Sequence, residues 1–265
     1  VAFFRMSTAW LAIVLLVVEV GVTAIAIVAG HRLRHRVTES REPVGVIQAT
    51  LLGLVGLLLA FGLSMAVGRY EIRREHIVTE ANTIGTTDLR AQTLDELYRT
   101  ESVELLRDYA DAAVTLSEQV PSSRAFATTS SGMESLQRSL WAIAGRAVQA
   151  APEATAPRLY IETLNEMIDM HTSRSASLRN RVPTPVMVLL VVASAVALAA
   201  LSLYLTLLGR GIVTSLVAAV VVTLKLFITF DLDRPSRGFI TIPNTPLVEQ
   251  RASMDDPPAF IPADF

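Results

Sequence analysis

VGVIQATLLGLVGLLLAFGLSMAVG, residues 44–68, runs for twenty-five positions without a formal charge, and RYEIRR follows at once. A helix rising 1.5 Å per residue over that length exceeds the roughly 30 Å of a bilayer's hydrocarbon core. The run ends abruptly at Arg69, Glu71, Arg73, Arg74 and Glu75. Its small residues are ordered: Gly56, Ala60, Ser64 and Gly68 recur at every fourth position and share one side of a helix. Lipid offers no hydrophobic drive for helix association, so a stripe that lets another backbone come close promotes packing. The stretch therefore predicts a membrane span with either a helix-packing face or a face turned to an oligomer axis.

Three more apolar blocks flank it, at residues 9–30, 186–208 and 212–230. The first could pass for a signal peptide, with Phe3-Phe4-Arg5 as its charged start. Its apolar run is too long for that, and Ala24-Ile25-Ala26 is a weak cleavage signal, so a retained span is expected. Gly209-Arg210-Gly211 leaves room only for a tight turn, so the last two spans form a hairpin. The expected organisation is an all-α membrane protein of four transmembrane helices in two hairpins. Residues 1–69 form the first hairpin, 70–183 a helical extramembrane insertion, and 184–242 the second hairpin with an LDRP segment. Residues 243–265 form a Pro-rich tail expected to be disordered.

The insertion reads as helix almost throughout. Leu105, Tyr109, Ala113 and Leu116 keep a spacing of three or four. Met133, Leu136, Leu140 and Ala144 do the same, as do Tyr160, Leu164, Met167, Ile168 and His171. Breaks are expected at 120–123, 128–132 and 151–157. The helix of the second span is expected to continue to about Thr83, with Glu80-Ala81-Asn82 close to its end. A carboxylate and an amide there could hold a cation or cap a neighbouring helix.

Composition narrows the functional classes. The chain has 265 residues, is 51% hydrophobic and carries a formal net charge of −2, with a mean hydropathy of +0.45. The near-neutral balance argues against a nucleic-acid partner. With no cysteine, thiolate chemistry and disulfides are excluded. No nucleophile elbow, phosphate loop, HExxH or calcium loop occurs, so an enzyme, a cofactor and a metal site are not expected. Two ionisable residues fall inside the apolar blocks, Glu19 and Lys225. Charges at that depth cost about 3 kcal/mol on insertion scales and mark candidate functional positions. They could pair along a polar path, or Lys225 could reach the interface while Glu19 is protonated or hydrogen-bonded. Arg69, Arg73 and Arg74 leave the membrane on the side where Asp231, Asp233, Arg234 and Arg237 arrive. They could fix helix register or line a charged vestibule.

With four spans, both termini and the insertion share one side. That side carries nine arginines near span ends (5, 69, 73, 74, 174, 179, 181, 234 and 237) against five on the other (32, 34, 36, 41 and 210). The balance favours a cytoplasmic insertion, although the first hairpin alone favours the reverse.

GLLLAFGLSMAVGRYEIRREHIVTEANTIG, followed far later by LDRPSRG, resembles the bestrophin-like family of bacterial membrane proteins, catalogued as a domain of unknown function. The resemblance is sharpest at Glu80-Ala81-Asn82 and at Leu232-Asp233-Arg234-Pro235 with Gly238. It implies two hydrophobic hairpins around a helical insertion and kinship with bestrophins, which are oligomeric anion channels whose second span lines the pore. The acidic calcium-binding cluster of animal bestrophins is not found here. The expected function is a homo-oligomeric channel for small anions in the bacterial inner membrane, surrounded by lipid. The alternative is a non-conducting scaffold or sensor whose insertion binds a soluble partner.

Overall fold

The computed structural model describes residues 7–33, 41–209, 211–234 and 238–260. Among them are eight helices and no strand: α1 (Thr8–Leu33), α2 (Arg41–Ala91), α3 (Glu96–Glu118), α4 (Arg124–Ala150), α5 (Thr155–Arg179), α6 (Thr184–Leu207), α7 (Ile212–Leu232) and α8 (Thr245–Ser253). Four of them are long and apolar enough to cross a membrane: α1, the first half of α2, α6 and α7. The chain divides into two compact units.

The first unit comprises the chain up to Tyr70 together with Arg181–Thr241. In it α1 packs against α6 and α7, which also pack on each other. Its buried cluster includes Leu11 and Leu15 of α1, Val55 and Leu59 of α2, Leu190 of α6, and Leu226 and Phe230 of α7. Close approach replaces the hydrophobic drive that lipid cannot provide. A Cβ on Gly62 would lie 2.7 Å from Leu190 Cδ1, so the glycine gives the Leu190 side chain its seat on α2. The turn between α6 and α7 has Gly209 at φ 77° and Gly211 at φ 99°, backbone settings that favour glycine.

The second unit comprises Glu71–Asn180 and the chain from Ile242 onward. Amphipathic faces meet there around Leu106, Tyr109, Met133, Leu140, Tyr160 and Met167. Ser123 starts α4 by accepting a hydrogen bond from the Phe126 amide at 3.0 Å.

Three expectations are corrected. First, α2 does not stop near Thr83 but runs to Ala91. Ile77, Ala81, Ile84 and Ala91 keep one face buried. The threonine hydroxyls that favour turns are instead bonded back along the helix, Thr86 to the Asn82 carbonyl at 2.9 Å and Thr87 to that of Thr83 at 2.7 Å. Second, residues 128–132 do not break the chain. Phe126, Ser130 and Met133 are successive buried positions of α4, and their burial outweighs the weak local propensity. Third, the tail expected to be disordered over 243–265 is helical at Thr245–Ser253. Pro246 occupies its first turn, where a missing donor is harmless. Leu247 and Met254 enter the core, and Arg251 bonds Asp111 at 2.7 Å. Residues 261–265 lie outside the described part.

Candidate functional site

The two faces of α2 within the first unit are unlike. Val55, Leu59, Gly62 and Ala66 turn inward, while Gly56, Ala60, Ser64 and Gly68 are exposed. A Cβ added at Gly56 or Gly68 would meet nothing within 4 Å. Among the described residues this stripe packs against no helix of its own protomer. Beside it the helix also exposes Leu54, Leu57, Phe61 and Met65.

Glu19 is fully buried in α1, where its Oε1 accepts a hydrogen bond from the Ser194 hydroxyl of α6 at 2.7 Å. Lys225, on α7, is half-buried, and of the two alternatives for these charges the hydrogen-bonded Glu19 is the one observed, with no pair to Lys225. A short neutral donor on the neighbouring helix satisfies the carboxyl oxygen, without a lysine stem crossing the core. Oε2 of Glu19 and the hydroxyl of Thr23, one turn along α1, are buried without hydrogen-bond partners.

The carboxylates after α7 organise backbone. Oδ2 of Asp233 accepts from the Val182 amide at 2.9 Å, and Oδ2 of Asp231 accepts from that of Ile240 at 2.9 Å. The Gly238 amide bonds the Arg234 carbonyl at 3.1 Å. A Cβ on Gly238 would stand 2.7 Å from both Asp231 carboxylate oxygens, which explains the glycine. Arg234 is buried. Pro235 and Arg237 lie outside the described residues. Arg69 is half-buried in the first unit.

In the second unit Arg73 is buried and donates through Nε to the Ser177 carbonyl at 3.2 Å and through Nη2 to that of Asn180 at 2.7 Å. It ties the end of α5 to α2 and is not presented to solvent. Arg74 is exposed and stands 3.6 Å from Glu71 on its own helix. The run RYEIRR thus has two fates one residue apart, set by the helical phase.

Glu80 and Asn82 also part company. Asn82 is exposed and lines an open cavity, while Glu80 is wholly buried. Its Oε2 receives Nη1 of Arg174, and its Oε1 lies 3.4 Å from Nδ1 of His171. Both partners come from α5. His171 meets Tyr109 edge to face with ring centroids 6.3 Å apart, and the Tyr109 hydroxyl is 3.4 Å from Gln137 Nε2. Burial pushes the Glu80 carboxyl up, yet the Arg174 guanidinium and His171 outweigh it and hold the carboxyl below its ordinary value. Burial, and then the Glu80 charge, push the Tyr109 hydroxyl up. Glu80 is thus charged and already neutralised, so it offers nothing to a free cation. Among the described residues no group of three or more His, Asp or Glu is placed to hold a metal.

The partners of Glu80 lay within reach of sequence reasoning. Tyr160, Leu164, Met167 and His171 are spaced by four, three and four, and the next position on that face is Arg174. An arginine continuing an apolar stripe signals a buried counter-charge elsewhere.

Comparison with known proteins agrees with this layout. Residues 13–247 match the Bestrophin-like domain family. No curated protein sequence matches. A crystal structure of a bacterial bestrophin homologue from Klebsiella pneumoniae, phased on zinc, superposes with a TM-score of 0.69 at 13% identity, covering 91% of this chain and 96% of that one. A singly substituted form of that homologue gives 0.68 at 14% identity, covering 92% and 97%. At such identity the likeness is one of fold. With four apolar helices, a helical insertion and a family match over most of its length, this chain is a membrane protein of the bestrophin-like family.

Proposed function

We propose that the protein is a homo-oligomeric channel for small anions, conducting along a path lined by the membrane half of α2. The observation that carries the reading is the exposed face of that helix, where Gly56, Ala60, Ser64 and Gly68 face away from their own protomer. Small residues surrounding an axis let several copies approach while leaving a lumen, and a closed ring is the commonest way for identical copies to bury such a face. Family membership supports the same reading through the bestrophin resemblance. The arginines after the span favour an anion, with Arg69 at the membrane exit and Arg74 exposed one turn beyond. The excess of arginines on the insertion side favours a cytoplasmic insertion, which suits a protein of the bacterial inner membrane.

The test is ion flux into liposomes holding the purified protein, with chloride and sodium gradients applied separately. Chloride flux that is lost when Ser64 is replaced by tryptophan supports the reading. Absence of flux from correctly inserted protein sinks it and leaves the scaffold alternative, in which the insertion binds a soluble partner. A monomer in detergent would exclude a central path before any flux is measured.

A further inference from the structure

The second unit contains an open cavity of about 900 Å³ between the C-terminal part of α2, α3 and the segment after α8. That volume suits a small organic molecule and is far too large for a bare ion. The walls are partly apolar, from Leu89, Val103, Met254 and Phe260. Their charge is unbalanced, with four carboxylates (Asp88, Glu96, Glu104 and Asp256) against two guanidiniums (Arg99 and Arg107). Both guanidiniums are engaged. Arg99 pairs with Glu96, and Arg107 gives Nε and Nη2 to the Met254 carbonyl at 3.2 and 2.8 Å.

Asp88 stands out among the lining groups. It is only 5% exposed, and its Oδ1 is buried without a hydrogen-bond partner. Its Oδ2 accepts from Gln92 Nε2 at 2.9 Å. The same Gln92 turns its Oε1 to the backbone amides of Ala259 and Phe260, at 2.9 and 3.4 Å. One side chain therefore joins the half-partnered carboxylate to the C-terminal segment that lines the cavity. A buried acceptor left without a donor is costly, and a donor supplied from the cavity removes that cost.

We infer that this cavity binds a small organic ammonium compound, with Asp88 as its counter-charge and Gln92 coupling occupancy to the segment 257–260. An ammonium group bonded to Oδ1 leaves the Gln92 bond to Oδ2 in place. Its alkyl part lies against Val103, Met254 and Phe260, and Glu104 adds a second negative charge. An anion would meet four carboxylates against two guanidiniums, one paired with Glu96 and the other held on the Met254 carbonyl.

The test uses the full chain in detergent, with putrescine and butylamine as probes and butanol and butyrate as controls. Calorimetry reads binding, and hydrogen exchange reads the peptide containing residues 255–260. The two amines should bind and slow exchange in that peptide, while butanol and butyrate do neither. Asp88→Asn keeps the shape and the Gln92 contact, and should weaken the amines by roughly tenfold or more, as expected for losing a charged hydrogen bond. Gln92→Ala should retain binding but lose the exchange response. Thr100→Phe, which fills the cavity from its rim, should abolish binding without altering Asp88, and stands in if Asp88→Asn does not fold. Equal binding of butyrate and butylamine, unchanged affinity in Asp88→Asn or Thr100→Phe, or no amine binding at all would overturn the inference. None of these readouts depends on conduction.

Discussion

Replacing Arg174 by methionine should unfold α5 from α2 more readily than any surface change in the insertion. Glu80 is fully buried and Arg174 is 2% exposed, so removing the guanidinium strands a carboxylate that water cannot reach. Breaking a buried pair from one side costs about 3–5 kcal/mol. His171, 3.4 Å from the other carboxylate oxygen, remains as a partial counter-charge and places the expectation near the lower end, about 3 kcal/mol. Glu80→Gln strands the arginine instead and should cost a similar amount. The double variant Glu80→Gln, Arg174→Met has no uncompensated charge, and should be less destabilised than either single one.

Local hydrogen exchange is the appropriate assay, because detergent obscures the global unfolding of membrane helices. Opening free energies of peptides from α5 and from α2 beyond Tyr70 would be compared across the four proteins, since residues in one network couple by about 0.5–3 kcal/mol. A cost below about 1 kcal/mol for Arg174→Met, the value of an ordinary surface pair, would refute the reasoning. So would a double variant equal to the sum of the singles.

Acid should loosen the same unit. The Glu80 carboxyl titrates below its ordinary value of 4.5 when folded, so its stabilisation is complete above 4.5 and is lost as pH falls through the folded value. Exchange in α5 measured from pH 6 downward should accelerate below that point in the wild type, and Glu80→Gln should lack this acid step. Gly62→Leu drives a side chain into Leu190 and should lower thermal stability by about 1–3 kcal/mol, whereas Gly56→Leu, on the open face, should leave the protomer's melting unchanged while altering oligomer size or flux. Leu247→Ala should destabilise the packing of α8 by about 2–5 kcal/mol, read as faster proteolysis after residue 242. Glu19→Gln keeps an oxygen for the Ser194 hydroxyl and should be tolerated. Glu19→Leu leaves that hydroxyl its other acceptor, the Val191 carbonyl at 2.9 Å, and should cost no more than about 1 kcal/mol in a thermal melt of the detergent-solubilised protein.

What could be read in the sequence follows from where water enters the physics. In the insertion one face of each helix meets water, so the spacing of Tyr109, Met133, Leu140 and Tyr160 recorded the core directly. The same rule marked the face that holds His171 and Arg174, although a charge there had to be believed before it could be used. In the tail, composition and pattern disagree, and the pattern prevails. Five prolines suggested disorder, yet Leu247, in a helix that Pro246 helps to start, and Met254, just past its end, both enter the core. In the membrane the rule falls silent. All sides of α2 between Gly45 and Gly68 are apolar, so hydrophobicity cannot say which is buried, and only residue size carries information. Two small-residue rows share this helix. Gly62 and Ala66 admit a neighbour within the protomer, and Gly56, Ala60, Ser64 and Gly68 do not, yet both obey the same spacing. A stripe of small residues in lipid states that something comes close and leaves the something unnamed. With Leu190 seated at Gly62, the protomer has used one row, and the second row, open among the described residues, remains for another copy, an ion path or lipid.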